Sequence, residues 1–180
     1  MKTIKHHHRR SIRLKEYDYS QPGEYFVTIC THDHECTLGK IVNGELRLNE
    51  IGKIVKEEWL RTPNIRPGIE LDVFVIMPNH IHGIIVIRDE SPIPQVGTHS
   101  CASLQREPRS LGSIIAGFKS AATKRINETR HTPSFPVWQK RFFDRVIRND
   151  NELNKIRDYI HNNVLQWAFE RDNPDNIPLW

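Results

Sequence analysis

Two histidines and one tyrosine are the residues of this chain whose types and spacing best support chemistry. His80 and His82 are separated by one residue and directly follow the turn dipeptide Pro78-Asn79. Side chains two positions apart on a strand point to the same face, about 7 Å apart along the chain. Both imidazoles can therefore converge on one divalent ion. Tyr159 carries a phenol, which can attack a phosphate and form a covalent intermediate.

The histidines must be positioned by a β-hairpin, because apolar, β-branched runs at 73–76 and 83–87 bracket the Pro-Asn turn. An isolated His-x-His on a strand is more often a pair of satisfied or partly exposed histidines than a metal site. Here the pair directly follows a tight turn near solvent, and two ligands leave room for substrate oxygens. The pattern alone leaves the metal-binding and the structural interpretation about equally open.

Tyr159 belongs to the last predicted helix, at whose start Asn149 and Glu152 have the spacing of a capping box. At about 100° per residue, Tyr159 lies on the flank of the apolar stripe of this helix, and Asn163 follows one turn later on the same flank. A tyrosine beside an amide can attack and ligate, respectively. Considered alone, however, this helix favours a packing role for Tyr159. The buried stripe comprises Leu153, Ile156, Ile160, Val164 and Trp167.

The composition is that of an ordinary globular protein. The chain has 180 residues, of which 37% are hydrophobic and 27% charged, and this length predicts one domain. No apolar run reaches the ~18 residues of a membrane helix, and the basic N-terminus lacks the apolar region of a secretory signal. Three cysteines without framework spacing fit a reducing compartment. We therefore expect a cytoplasmic, nucleoid-associated protein that does not contact a membrane.

The charge is unevenly distributed along the chain. Residues 104–148 contain ten Lys and Arg against three Asp and Glu, whereas the rest of the chain has 16 against 19. Such a concentration of positive charge is typical of a nucleic-acid footprint, although a solvated basic helix face explains the charge alone equally well.

The order of predicted elements favours an α+β fold. After a first strand, the pattern runs β-α-β-β-α-β and ends in one more helix, which is the ferredoxin-like order of an antiparallel sheet with both packing helices on one face. The other face is then open to a ligand or a further helix. We expect a basic arm at 1–22, one domain at 23–170 containing a mobile loop at 89–109, and an irregular tail at 171–180. The predicted elements are strand Glu24 to Thr31, hairpin Leu38 to Leu48 turning at Asn43-Gly44, helix Asn49 to Arg61 stopped by Pro63, hairpin Ile69 to Arg88, helix Leu111 to Arg130, strand Val137 to Ile147 and helix Asp150 to Phe169.

The sequence lacks the motifs of several other kinds of catalytic or nucleotide-binding site. The sequence has no nucleophile elbow, no Walker loop and no GxGxxG loop, and carboxylates are sparse near the histidines. A second metal candidate alternates Cys30, His32, His34 and Cys36. On one straight strand the outer two would lie about 20 Å apart, so only a bend at Asp33 could gather them.

Taken together, these segments resemble the REP-associated tyrosine transposases, which are relatives of the single-tyrosine HUH transposases of bacterial insertion elements. The resemblance extends from Arg9 to about Pro174. Its most specific parts are the Met-Pro-Asn-His-hydrophobic-His segment 77–82 and the Tyr-Ile-x-x-Asn segment 159–163. The other matching segments are 9–13, 25–31, 111–120 and 143–148.

The resemblance implies an HUH endonuclease fold in which the C-terminal helix carries the tyrosine. It implies that His80 and His82 bind Mg²⁺ or Mn²⁺, that Tyr159 is the nucleophile, and that Asn163 takes the place of a Gln metal ligand of related enzymes. The implied reaction is cleavage and rejoining of single-stranded DNA beside a hairpin-forming palindromic repeat, through a 5′-phosphotyrosine and a free 3′-OH. The family usually has Pro after that Asn, whereas this chain has Val164.

The implied partner is single-stranded DNA with hairpin structure, bound by a monomer or a homodimer. We expect basic side chains to contact its phosphates and the arm to contact flanking bases. A hairpin-binding protein of the same fold without chemistry is the alternative. The residues predicted to bind DNA are Arg9, Arg10, Arg13, Arg109, Lys119, Lys124, Arg125, Arg145 and Arg148.

Overall fold

The computed structural model describes residues 17–89, 109–169 and 173. The predicted arm up to residue 16, the predicted loop at 90–108 and most of the tail lie outside the described residues. None of the described helices is long and apolar enough to span a membrane. The strands are β1 (Gly23–Cys30), β2 (Gly39–Val42), β3 (Glu45–Leu48), β4 (Ile69–Ile76), β5 (His80–Ile87) and β6 (Phe143–Ile147); the helices are α1 (Glu50–Ile65), α2 (Leu111–Arg130) and α3 (Asp150–Gln166).

The main sheet has the strand order β4-β5-β1-β6, and each neighbouring pair is antiparallel. The chain builds it as β1-α1-β4-β5-α2-β6, so the predicted ferredoxin-like α+β fold is confirmed. One detail of the predicted order was wrong. The prediction placed the first strand before the β-α-β-β-α-β unit, whereas β1 is the first strand of that unit. The hairpin β2–β3 forms a separate two-stranded sheet inserted between β1 and α1. Its turn residues Asn43 and Gly44 have φ values of 54° and 77°, as a type I′ turn requires.

Both faces of the sheet are covered. Helices α1 and α2 pack on the face of β1 that carries Tyr25, Val27 and Ile29, all fully buried. Helix α3 packs on the opposite face, against Phe26 of β1 and against Ile84 and Val86 of β5. Strand β1 is therefore buried on both sides, although its alternation predicted a half-buried strand, because α3 covers the face that a helix pair alone would leave open.

The boundaries of α1 and β6 differ most from the prediction. Helix α1 does not stop before Pro63 but continues through it to Ile65, and the N–H of Arg66 closes the last turn on the carbonyl of Thr62 at 3.0 Å. Proline cannot donate a backbone hydrogen bond, but only the last helical residues follow it here, so little hydrogen bonding is lost. Strand β6 is shorter than predicted, because Trp138 makes only an isolated bridge to Thr31.

The described residues before β1, 17–22, contact the folded unit. Tyr17 and Tyr19 pack against the core around Tyr25, with ring centroids of 6.5 Å and 6.1 Å from the Tyr25 ring. The Tyr25 hydroxyl donates to the carbonyl of Gln21 at 2.7 Å. This contact anchors the chain where it enters the sheet.

The close approach of α1 to β5 gives a stability prediction. A Cβ on Gly83 would lie 2.7 Å from Cζ2 of Trp59 and 3.2 Å from Cβ of Phe74. We expect Gly83→Ala to lower the free energy of unfolding by about 1–3 kcal/mol, because α1 must shift from the sheet. Urea denaturation measures this loss. In a Trp59→Phe background, which lacks Cζ2, the same substitution should cost less; an equal cost would contradict the clash.

Candidate active site

The two histidines of β5 lie on the face of the sheet that α3 covers. Their ring centroids are 4.4 Å apart. Both side chains are buried, and Ile81 between them belongs to the core on the opposite face. The strand therefore brings the two predicted ligands together in the way that its two-residue period requires.

The orientation of His80 is determined by Asn79. Nδ1 of His80 lies 2.8 Å from Oδ1 of Asn79, while the amide nitrogen of Asn79 donates to the carbonyl of His34 at 3.1 Å. Because the Asn79 amide oxygen can only accept, Nδ1 of His80 carries the proton and Nε2 carries a lone pair. This is the tautomer that a metal-ligating histidine needs when Nε2 is the ligand.

His82 lies between a strand hydroxyl and the helix tyrosine. Its Nδ1 is 2.9 Å from Oγ1 of Thr28, and its Nε2 is 3.2 Å from the hydroxyl of Tyr159. When Nδ1 donates to Thr28, Nε2 accepts the proton of Tyr159. Burial, together with the nearby His80, lowers the pKa of His82 to about 3, so that the ring is neutral at neutral pH.

The C-terminal half of α3 and Trp167, which follows it, face the histidine pair. The ring centroid of Tyr159 is 5.2 Å from that of His82, and that of Trp167 is 6.0 Å from that of His80. Asn163 is one turn from each of them and has no exposed surface. It therefore lies on the helix between the two residues that contact the histidines.

The position of α3 is fixed by an ion pair as well as by apolar packing. Arg157 donates through Nε and Nη2 to Oδ2 of Asp72 in β4, at 2.9 Å and 2.6 Å. The pairing of β4 with β5 shifts register between Leu71 and Phe74, so Asp72 lies at a β-bulge. Bulges redirect side chains, and this one places a carboxylate where α3 crosses the sheet.

Helix α3 continues unbroken through Val164, as far as Gln166, where a short 3₁₀ turn at Trp167–Phe169 follows. Tyr159 and Asn163 therefore lie on one continuous helix. Tyr159 keeps 40% of its surface exposed, and its ring packs edge-on to Phe26 at 6.1 Å.

The residues of this site fit a metal held by two imidazoles and an amide. Nε2 of His80 and Oδ1 of Asn163 are buried ligand-type atoms without a hydrogen bond among the described residues, although both side chains have other contacts. The described residues contain no group of three or more His, Cys, Asp or Glu suited to a metal. The alternative metal site at Cys30, His32, His34 and Cys36 is therefore not formed, although the chain does bend at Asp33, which has a φ of 50°.

The described residues among those predicted to bind DNA differ in exposure and in their partners. Arg9, Arg10 and Arg13 lie outside the described residues. Arg125 bridges α2 to α1, with Nη2 2.6 Å from Glu57 and Nη1 2.7 Å from Glu58. Arg145 pairs with Glu152. Arg109, Lys124 and Arg148 are exposed, whereas Lys119 is half-buried and donates to the carbonyls of Gln139 and Arg141 at 2.8 Å and 3.0 Å.

Three side chains of the site were missed by sequence reasoning: Thr28, Asn79 and Phe26. Asn79 was visible only as a turn residue. Thr28 and Phe26 contact His82 because β1 pairs with β5, with Thr28 directly opposite His82 and the Phe26 ring stacked on the imidazole at 5.4 Å. The alternation of β1 indicated which residues share a face, but its partner strand could not be read from it.

The fold and this site define a ferredoxin-like unit in which a helix tyrosine faces a histidine pair. The structure is similar to that of a REP-associated tyrosine transposase bound to a REP hairpin, with a TM-score of 0.61, 17% identity, and coverage of 88% of this chain and 76% of that one. The predicted resemblance is thus confirmed in fold. A candidate transposase of Deinococcus radiodurans R1 is 18% identical over 83% of this chain and 95% of its own, but its TM-score of 0.44 is too low to indicate a shared fold.

The chain belongs to the same family as an uncharacterized protein of Haemophilus influenzae. The two are 37% identical over 174 residues, which cover 89% of this chain and 91% of the relative. No family model matches the sequence.

The contact between Asn79 and His80 gives a second prediction. We expect Asn79→Ala to lower the free energy of unfolding by about 1–3 kcal/mol, because Nδ1 of His80 and the His34 carbonyl lose buried partners. It should also relax the tautomer of His80, which ¹H–¹⁵N correlation spectra of the imidazole nitrogens detect. Thr28→Val is the matched control, since it should alter the signals of His82 and leave those of His80. An unchanged His80 spectrum in Asn79→Ala would contradict the role of Asn79.

Proposed function

We propose that this protein is a metal-dependent HUH-type tyrosine transposase that nicks and rejoins single-stranded DNA at hairpin-forming palindromic repeats. The observation that carries the proposal is the 3.2 Å contact between the Tyr159 hydroxyl and Nε2 of His82. It places the only tyrosine of α3 beside the histidine pair, and Tyr159 is half-exposed. The solved transposase of similar fold is bound to a REP hairpin, which supports hairpin DNA as the substrate here.

In the proposed reaction, each phosphodiester bond that breaks is replaced by another phosphodiester bond. The oxygen of Tyr159 attacks the scissile phosphorus, the P–O3′ bond breaks, and the departing 3′ oxygen takes up a proton while the phenol has lost one. The products are a 5′-phosphotyrosine and a free 3′-OH. Rejoining reverses these roles, since a 3′-OH attacks the phosphotyrosine and releases the phenol. Each phosphodiester is exchanged for another ester, so the reaction needs no nucleotide cofactor.

His80, His82 and Asn163 are the residues that would hold Mg²⁺ or Mn²⁺. The bound ion would withdraw charge from the scissile phosphate and stabilise the charge that develops on it. The chain itself provides the geometry. Asn79 presents Nε2 of His80, burial keeps His82 neutral, and the Arg157–Asp72 ion pair holds α3 and its tyrosine against the sheet.

The exposure of Tyr159 suits attack on a phosphate that arrives from solvent. The ring lies against Phe26 and His82, whereas its outer surface is exposed, so a phosphate can approach from solvent without displacing core residues. We propose that the DNA is bound by a monomer or a homodimer in the cytoplasm, close to the nucleoid. Exposed Arg109, Lys124 and Arg148 are available to its phosphates.

The proposal predicts a covalent adduct. A labelled single-stranded hairpin repeat from the DNA beside this gene, mixed with protein and Mn²⁺ or Mg²⁺, should give an SDS-resistant protein–DNA band. The band should disappear with EDTA and in Tyr159→Phe, because the first removes the metal and the second removes the attacking oxygen. The fraction of labelled DNA in the band is the readout.

Tyr25→Phe is the matched control for the tyrosine, since Tyr25 lies on the other face of the sheet and should leave the adduct intact. If wild-type protein binds the hairpin tightly and forms no adduct with either metal, the chain is a hairpin-binding protein without this chemistry.

The histidine pair predicts metal affinity independently of catalysis. We expect His80→Ala and His82→Ala each to weaken Mn²⁺ binding at least about 10-fold, because each removes one of few ligands. The electron paramagnetic resonance signal of free Mn²⁺ during titration measures this, without DNA. His161→Ala is the matched control, since His161 is exposed on α3. Equal affinity in all three variants would exclude this metal site.

A further inference from the structure

A groove of about 1630 Å³ lies between α2 and the segment 131–144. His80, His82 and Tyr159 do not line it. It lies beside the edge strand β6, on the α2 side of the sheet, whereas the histidine pair lies on the α3 side. The groove is therefore separate from the candidate active site.

The lining of this groove combines positive charge with aromatic rings. Lys124, Lys140 and Arg141 line it and are exposed, and none of them forms an ion pair with an acidic side chain of the described residues. Glu128 and the buried Asp144 are the acidic residues of its lining. The net charge of the lining is therefore positive and suits a polyanion.

An aromatic side chain stands open inside this basic groove. Phe135 is 49% exposed, so about half of this apolar residue is in contact with water. The carbonyl of Phe135 accepts a hydrogen bond from the amide of Asn127 at 3.0 Å, so the backbone beneath the ring is tied to α2. A ring held in this way provides a stacking platform for an unpaired base, since every base has a π-face.

The groove leads toward Tyr159 around the β6 edge. A smaller concavity shares Tyr19, Phe143 and Asp144 with it and adds Arg145 and Arg148. The ring of Phe143 is 6.2 Å from that of Phe26, which in turn contacts both His82 and Tyr159. A series of ring contacts through Phe143 and the buried Phe26 thus links the lining of the groove with His82 and Tyr159.

We infer that this groove binds the unpaired strand that adjoins the hairpin, with one base stacked on Phe135 and phosphates on Lys124, Lys140 and Arg141. The inference rests on the proposed function, because it takes hairpin DNA as the substrate, and it adds where the single-stranded part of that DNA lies. A duplex is a poorer occupant, because its bases are already stacked on one another and cannot cover the Phe135 ring.

The experiment compares two fluorescent DNA hairpins, one with short unpaired extensions and one blunt, by fluorescence anisotropy in EDTA so that no cleavage occurs. We expect Phe135→Ala to weaken binding of the extended hairpin about 10-fold and to leave the blunt hairpin unaffected. Phe135→Trp should retain the affinity, since it keeps a stacking surface. Leu60→Ala is the matched control, because Leu60 on α1 is equally exposed at 49%.

The charges are tested by salt dependence. Lys140→Gln with Arg141→Gln should reduce the slope of log affinity against log salt concentration by about 1.4 for the extended hairpin, since each phosphate contact on a single strand contributes about 0.7. Lys40→Gln with Lys53→Gln removes the same charge outside the groove and should leave the slope unchanged. Circular dichroism melting verifies that each variant is folded.

The inference is overturned if Phe135→Ala and the double charge variant bind the extended hairpin like wild type. It is also overturned if they weaken both hairpins equally, or if wild type does not prefer the extended hairpin. The adduct assay with Tyr159→Phe reports separately on the proposed chemistry. Loss of binding in the groove variants without any wild-type adduct would support the groove and exclude the enzyme, and the converse result would do the opposite.

Discussion

The pairing register of β1 with β5 is the constraint on which the rest of this structure depends. It runs unbroken from Gly23 opposite Ile87 to Cys30 opposite His80. This register sends the histidines to one face together with Thr28, and it sends Ile81 to the other. A slip by one residue would turn both histidines into the core beneath α1 and α2 and expose that core's isoleucines to α3. Burial of apolar side chains on both faces therefore fixes the site as firmly as it fixes the fold.

Helix α3 supplies the other half of the site, and the same contacts hold it and prepare its chemistry. Its apolar stripe covers Phe26 of β1 and Ile84 and Val86 of β5. The histidines on the same face are buried and have little contact with water. That desolvation keeps His82 neutral, and the edge of the same helix leaves Tyr159 beside solvent. Packing, protonation state and access thus follow from the position of one helix, which the Arg157–Asp72 ion pair reinforces.

The two faces of the sheet have different roles, one in forming the core and the other in carrying the candidate active site. The layer of α1 and α2 provides most of the core, including the pairs that Arg125 makes with Glu57 and Glu58. The α3 face carries the groups capable of chemistry. Edge strand β6 lies between the groove and this face, and Phe143 touches both. An edge strand suits this role, because only a sheet edge lets an extended polymer pass from one face to the other.

The sequence by itself determined the local features of this protein, because they follow from short-range rules. Helix α2 begins and ends where its pattern predicts, the turn at Asn43-Gly44 has its expected backbone, and His80 and His82 share a face. Only the tertiary structure decided that Tyr159 meets His82, 77 positions away, and that α1 continues through Pro63. It also assigned Arg125 to an ion pair and placed Thr28 beside His82. Such contacts depend on which strands pair and where a helix docks, and these choices are made by burial summed over the whole chain, which no local pattern encodes.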